Sequence, residues 1–144
     1  FDAHSVSFGI LFVDIDHFKH VNDTWGHAIG DKVLTMVART LTNGLRPLDV
    51  PSRWGGEEFL ILMPNVNLEV LSVVAERLRV LIENSWIKEG EDLIRVTASF
   101  GGAIARQGDS AEDIVSRADK MLYTSKENGR NCLSIDNGCG LEEG

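Results

Sequence analysis

Cysteines, long apolar runs and basic charge are all in short supply in this chain, and each shortage removes a class of protein. Cys132 and Cys139 are the only two cysteines among 144 residues. That is too few for a disulfide framework or a thiolate metal cluster, and it fits a reducing, cytoplasmic setting. No apolar run approaches the ~20 residues a membrane-spanning helix needs, so no membrane contact is expected of this stretch. The first residues lack a signal-peptide pattern, and the opening Phe1-Asp2 without Met is what a piece cut from a longer protein would show. Lys and Arg number 14 against 22 Asp and Glu, a formal net charge of −8. Non-specific nucleic-acid binding depends on a basic face, and this charge argues against it. It does not argue against a small phosphorylated ligand, which bound cations and a few local basic groups can hold.

What is present is the balance of a globular domain with one core, 43% hydrophobic and 25% charged. Val6 to Ile15 is apolar on both faces, which predicts a central strand. His17 to Trp25 sets Phe18, Val21 and Trp25 on one side of a short helix. Gly26 and Gly30 punctuate the chain before a second helix, from Asp31 to Leu45. Asp49 to Arg53 and Glu57 to Met63 flank Trp54-Gly55-Gly56 as hairpin strands flank a glycine turn. Leu68 to Asn84 predicts a long amphipathic helix, and Leu93 to Ala105 predicts one strand. Ser110 with Asp113 starts a last helix in the manner of a capping box, and Asn131 to Ile135 forms a short closing strand. The order β-α-α-β-β-α-β-α-β predicts an α+β sandwich, with helices packed around a central, mostly antiparallel sheet. One domain is expected over residues 1–135, with a disordered glycine-rich, acidic end over 136–144.

Four groups of residues carry chemistry, each with a plainer reading beside it. Asp14-Ile15-Asp16 ends the first strand, where carboxylates suit a cation site; either aspartate could instead cap the next helix. Gly55-Gly56-Glu57-Glu58-Phe59 lets backbone approach a ligand closely, then presents two acids that a regular strand would send to opposite faces. A plain hairpin with exposed charges is the alternative. In the block from Phe18 to Asp31, Asn22 and Asp31 supply the donor and acceptors that read a guanine edge, or serve as capping and turn residues. Lys126-x-x-Gly129-Arg130-Asn131 puts two cations where a polyphosphate would sit, or where a helix dipole favours them.

In this order the four groups resemble the GGDEF family of diguanylate cyclases, from about Val6 to Ile135. The most specific element is Arg53-Trp54-Gly55-Gly56-Glu57-Glu58-Phe59, the family signature with Glu in its third position. The resemblance implies a ferredoxin-like sandwich similar to the polymerase palm and the nucleotide cyclases, with the signature on a central hairpin. It implies a diguanylate cyclase that condenses two GTP into cyclic di-GMP and two pyrophosphates, with Mg2+ or Mn2+ as cofactor. By the same likeness Asp14, Glu57 and Glu58 are catalytic, and Glu57 takes the proton. Asp14, the Ile15 carbonyl, Glu57 and Glu58 would hold the metal. Asn22, His27 and Asp31 would take guanine, and Phe18, Lys19, Gly55, Gly56, Lys126 and Arg130 the phosphates. One site for one GTP implies a homodimer in which two domains meet.

Arg46-Pro47-Leu48-Asp49 reads as an ordinary helix-to-strand turn. Its offset before Gly55 is also that of the family's product-inhibition site, and Arg77 resembles an arginine that some members add to it. The helix and D-x-L-T-G-L-x-N-R turn with which members usually begin are not in this sequence. The rival reading is a non-catalytic module that binds GTP or cyclic di-GMP. The intact glycines and glutamates of the signature favour the enzyme, and the acceptors of Asp31 oppose an adenylate-type cyclase of the same fold.

Overall fold

The computed structural model describes residues 7–136. A five-stranded sheet runs in the order β2-β3-β1-β6-β7, formed by β1 (Phe8–Ile15), β2 (Val50–Arg53), β3 (Glu58–Pro64), β6 (Ala98–Ile104) and β7 (Leu133–Asp136). All neighbours are antiparallel except β6 and β7. The sheet is therefore mixed and mostly antiparallel, within the α+β class the sequence predicts.

Strand alternation sorts β1 between two cores. Leu11, Val13 and Ile15 face helices α1 (Phe18–Trp25), α2 (His27–Gly44) and α3 (Leu68–Glu83) in the larger one. Ile10 and Phe12 face α4 (Ala111–Glu127) in the smaller. Burial on both faces makes β1 the centre of the sheet and leaves only its ends for polar chemistry. Gly101 of β6 lets α4 lie against the sheet, since a Cβ there would meet the Leu122 backbone nitrogen at 2.1 Å. The capping box of α4 forms as the sequence suggests, with Ser110 and Asp113 exchanging side-chain and backbone bonds. No helix among the described residues is long and apolar enough to cross a membrane.

Several boundaries differ from the sequence reading. The second helix starts four residues early, at His27, so Gly30 lies inside it and Asp31 in its second turn. The segment Leu93 to Ala105 is two strands, because Asp92–Ile94 (β5) pairs back onto Ile87–Glu89 (β4) through a turn at Gly90. Arg95 to Thr97 separate β5 from β6, which joins β1. Nothing marks that break in the sequence, since the run from Leu93 to Ala98 contains neither Gly nor Pro. Asp136, assigned to a tail, ends β7. Val6 and residues 137–144 lie outside the described residues.

Candidate active site

The site is assembled where β1 ends. Asp14 pairs in register with Glu58 on β3 and with Ser99 on β6, so its carboxylate and that of Glu58 stand on one face. That face is covered by α4, whose last turn sends the Lys126 ammonium onto Asp14 Oδ2. Asp14 is buried. Glu57 precedes the regular part of β3, held by the Ile15 N–H on its carbonyl at 3.2 Å, and is thus released from strand alternation. Both signature glutamates consequently lie in the field of Asp14. Burial first, and then the Asp14 charge, raises the pKa of each above the ordinary glutamate range, while Lys126 opposes the shift.

This crowding predicts a stability effect. A raised carboxyl pKa means the folded state binds protons more tightly than the unfolded chain. The contribution to folding is complete below the ordinary value of 4.5 and is lost as pH rises through the raised one. Near neutral pH the charged acids repel one another. Glu58→Gln should therefore raise the melting temperature of the nucleotide-free domain near pH 7 by about 1–3 °C, after screening at a half-exposed position. The gain should vanish near pH 4. Thermal scans at the two pH values check this, and a lower midpoint near neutrality contradicts it.

The hairpin tip is pinned by Arg53. Its Nε donates to the carbonyls of Gly55 and Gly56 at 3.0 Å each, and Trp54 and Gly55 N–H groups donate to Glu58 O. A Cβ on Gly55 or Gly56 would meet nothing within 4 Å, so the fold does not require these glycines; they keep the tip open. Arg53 was legible only as part of the signature, and its anchoring role depends on the turn geometry.

Beside the hairpin lies a cavity of about 450 Å³ lined by Phe18, Lys19, Asn22, His27, Asp31 and Glu57 among others. The residues expected at guanine thus share one pocket with a signature glutamate. Gly30 seats Asn22, since a Cβ there would fall 1.9 Å from Asn22 Oδ1. Lys19 is exposed and pairs with Asp23 at 2.9 Å. Arg130 follows α4 in a left-handed turn, with φ +66°, and its side chain is exposed.

Neither aspartate of the first motif caps α1, whose N-cap is His17 without a side-chain bond. Asp16 is instead buried and accepts from Thr97, Ser99 and the Asn131 backbone. Arg46 and Asp49 hold each other, with Nη2 to Oδ1 at 2.7 Å. Arg46 also donates to the Pro64 and Asn65 carbonyls. Arg77 donates to Gly44 O at 2.6 Å, so all three residues brace the corner between α2 and β2.

Among the described residues no three His, Cys, Asp or Glu side chains form a ready-made metal cage. The donor set nevertheless fits a hard divalent ion. Asp14 repels both Glu57 and Glu58 while Lys126 offsets the charge of all three, and magnesium characteristically takes one or two carboxylates and completes its shell with water and phosphate.

The fold and this constellation define an α+β domain of the nucleotide cyclase kind, built around a carboxylate-bearing hairpin. The model of the family "Diguanylate cyclase, GGDEF domain" matches residues 2–132, and the chain belongs to that family. It is 44% identical over 127 residues to Diguanylate cyclase A of Treponema denticola, covering 88% of this chain and 34% of that protein. Diguanylate cyclase SiaD of Pseudomonas aeruginosa, solved with its activator SiaC, is similar at a TM-score of 0.89 and 40% identity, over 93% of this chain and 52% of that one. The GGDEF domain of DgcB from Caulobacter crescentus, solved with c-di-GMP, has a TM-score of 0.86 and 35% identity, over 90% of this chain and 77% of that one. The chain spans about a third of the length of the curated relatives it matches.

Proposed function

We propose that this domain is a diguanylate cyclase, joining two GTP into cyclic di-GMP with release of two pyrophosphates. The observation that carries the reading is that Glu57 lines the Asn22–Asp31 pocket while standing in the field of Asp14 and its partner Lys126. A base read in the pocket would lay its phosphates along the acidic hairpin. Asp31 accepts from guanine N1 and N2, and Asn22 completes the edge. Lys126 and Arg130 neutralise the triphosphate, and the open glycine tip admits it. Glu57, with its raised pKa and its place in the pocket, accepts the proton of the attacking 3′-hydroxyl as the O3′–Pα bond forms and pyrophosphate leaves. Asp14, Glu58, Glu57 and the Ile15 carbonyl would hold Mg2+ or Mn2+, which supplies charge stabilisation at the transferring phosphoryl group.

A single pocket serves two identical substrates, so two copies must face each other. Specific activity should therefore rise with protein concentration through the dimerisation range. Incubation with GTP and magnesium, followed by chromatography, tests the activity. Cyclic di-GMP is the expected product, and unchanged GTP at high protein concentration would favour a binding module.

Product feedback at Arg46, Asp49 and Arg77 belongs to the same reading, supported by the relative solved with c-di-GMP. Arg46→Ala is expected to keep reaction progress from slowing as product accumulates, with product affinity reduced by about 10- to 150-fold. The initial rate should be little changed. Identical inhibition curves for parent and variant, or a lost initial rate with unaltered inhibition, would assign Arg46 to the fold alone.

A further inference from the structure

We propose that Asp16 is a positioning residue for phosphate binding, fixing the turn that presents Arg130 and acting on the reaction only through it. The inference rests on the assignment of Arg130 to the triphosphate. Gly129, Arg130 and Asn131 all have positive φ, at +107°, +66° and +48°. Two of the three carry side chains, and such residues persist in this region only where their surroundings over-determine them.

The groups that do so are identifiable. Arg130 N–H donates to Ser125 O at 3.0 Å. Asn131 N–H donates to Asp16 Oδ2 at 3.0 Å. The Asn131 side chain accepts from Arg79 Nη1 at 2.9 Å and donates to Glu83 Oε2 at 3.0 Å, which ties the turn to α3. Asp16 is itself fixed, since Oδ2 also accepts from Thr97 Oγ1 at 2.7 Å and Oδ1 from Ser99 Oγ at 2.6 Å. At 5% exposure it is buried, and both of its carboxylate oxygens are taken up by these donors. Among the described residues its carboxylate is the one side chain that joins the ends of β1 and β6 to the backbone of the Arg130 turn. Without that acceptor the Asn131 N–H is orphaned, and the turn is free to leave its strained conformation.

The test compares GTP and GMP binding, by calorimetry, for the parent, Asp16→Ala, Asp16→Asn, Arg130→Ala and the double variant Asp16→Ala/Arg130→Ala. Asp16→Ala should weaken GTP binding about 10-fold or more, close to the effect of Arg130→Ala. GMP lacks the two outer phosphates, so its affinity should not change. The double variant should be no worse than Arg130→Ala alone, because both act on one contact. Asp16→Asn keeps a carbonyl for the Asn131 N–H, with the Ser99 hydroxyl turning to accept from the amide, and should recover most of the loss. Should Asp16→Ala fail to fold, Thr97→Val carries the same expectation in smaller measure, since it removes the hydroxyl that fixes Asp16 Oδ2 beneath the turn. Additive losses in the double variant, or equal loss of GTP and GMP affinity, would reduce Asp16 to a structural role and overturn the inference. Full GTP affinity in Arg130→Ala would instead overturn the triphosphate assignment beneath it.

Discussion

Asp14→Asn is expected to reduce cyclic di-GMP formation by at least ~10²–10³-fold, the loss typical of removing one preorganised electrostatic group from a transition state. The amide is isosteric, so packing at the end of β1 is preserved. Lys126 loses its charged partner, but its side chain is 33% exposed and can turn to water. The domain should therefore stay folded, with an unchanged circular dichroism spectrum, while turnover disappears. The carboxylate is the proposed cation ligand and also sets the field around Glu57 and Glu58, so no other side chain replaces it. Near-normal activity in a folded variant would refute its assignment.

Gly30→Ala is expected to raise the KM for GTP by about 5- to 150-fold while leaving the domain about as stable as the parent. An added Cβ would lie 1.9 Å from Asn22 Oδ1 and 3.3 Å from Phe18 Cζ. Asn22 is the softer obstacle and must rotate out of the pocket. The hydrogen bond it would offer guanine is worth about 1–3 kcal/mol when a buried partner is left unmatched. Alanine is also the better helix former by about 1 kcal/mol, which offsets the strain of repacking. Steady-state kinetics and a thermal scan separate the two terms. An unchanged KM would show that Asn22 does not read the base.

The central strand, the hairpin and its acids are legible in the sequence because each leaves a local mark: an apolar run, a glycine pair, adjacent glutamates. What places them together is not local. The register of Asp14 opposite Glu58 follows from sheet pairing, which no single segment encodes. Strand alternation alone sends Glu57 and Glu58 apart, and only the start of β3 at Glu58 explains why both meet Asp14. Asp16 reads as a cation ligand or a helix cap because its actual partners stand 81, 83 and 115 positions away. Gly30 reads as a break in helicity, whereas tertiary packing against Asn22 keeps it inside α2. The Arg46–Asp49 pair reads as a ligand clamp ahead of a plain turn, and its bracing bonds to Pro64 and Asn65 give the turn a physical purpose that sequence spacing does not reveal.

The position of bound GTP tests these assignments most directly. A crystal structure of the domain with magnesium and a non-hydrolysable GTP analogue would locate every group at once. The predicted result has guanine between Asn22 and Asp31, the triphosphate against Lys126 and Arg130, and electron density for a cation beside Asp14. Guanine outside the cavity between α1 and the hairpin, or phosphates turned away from Asp14, would contradict it.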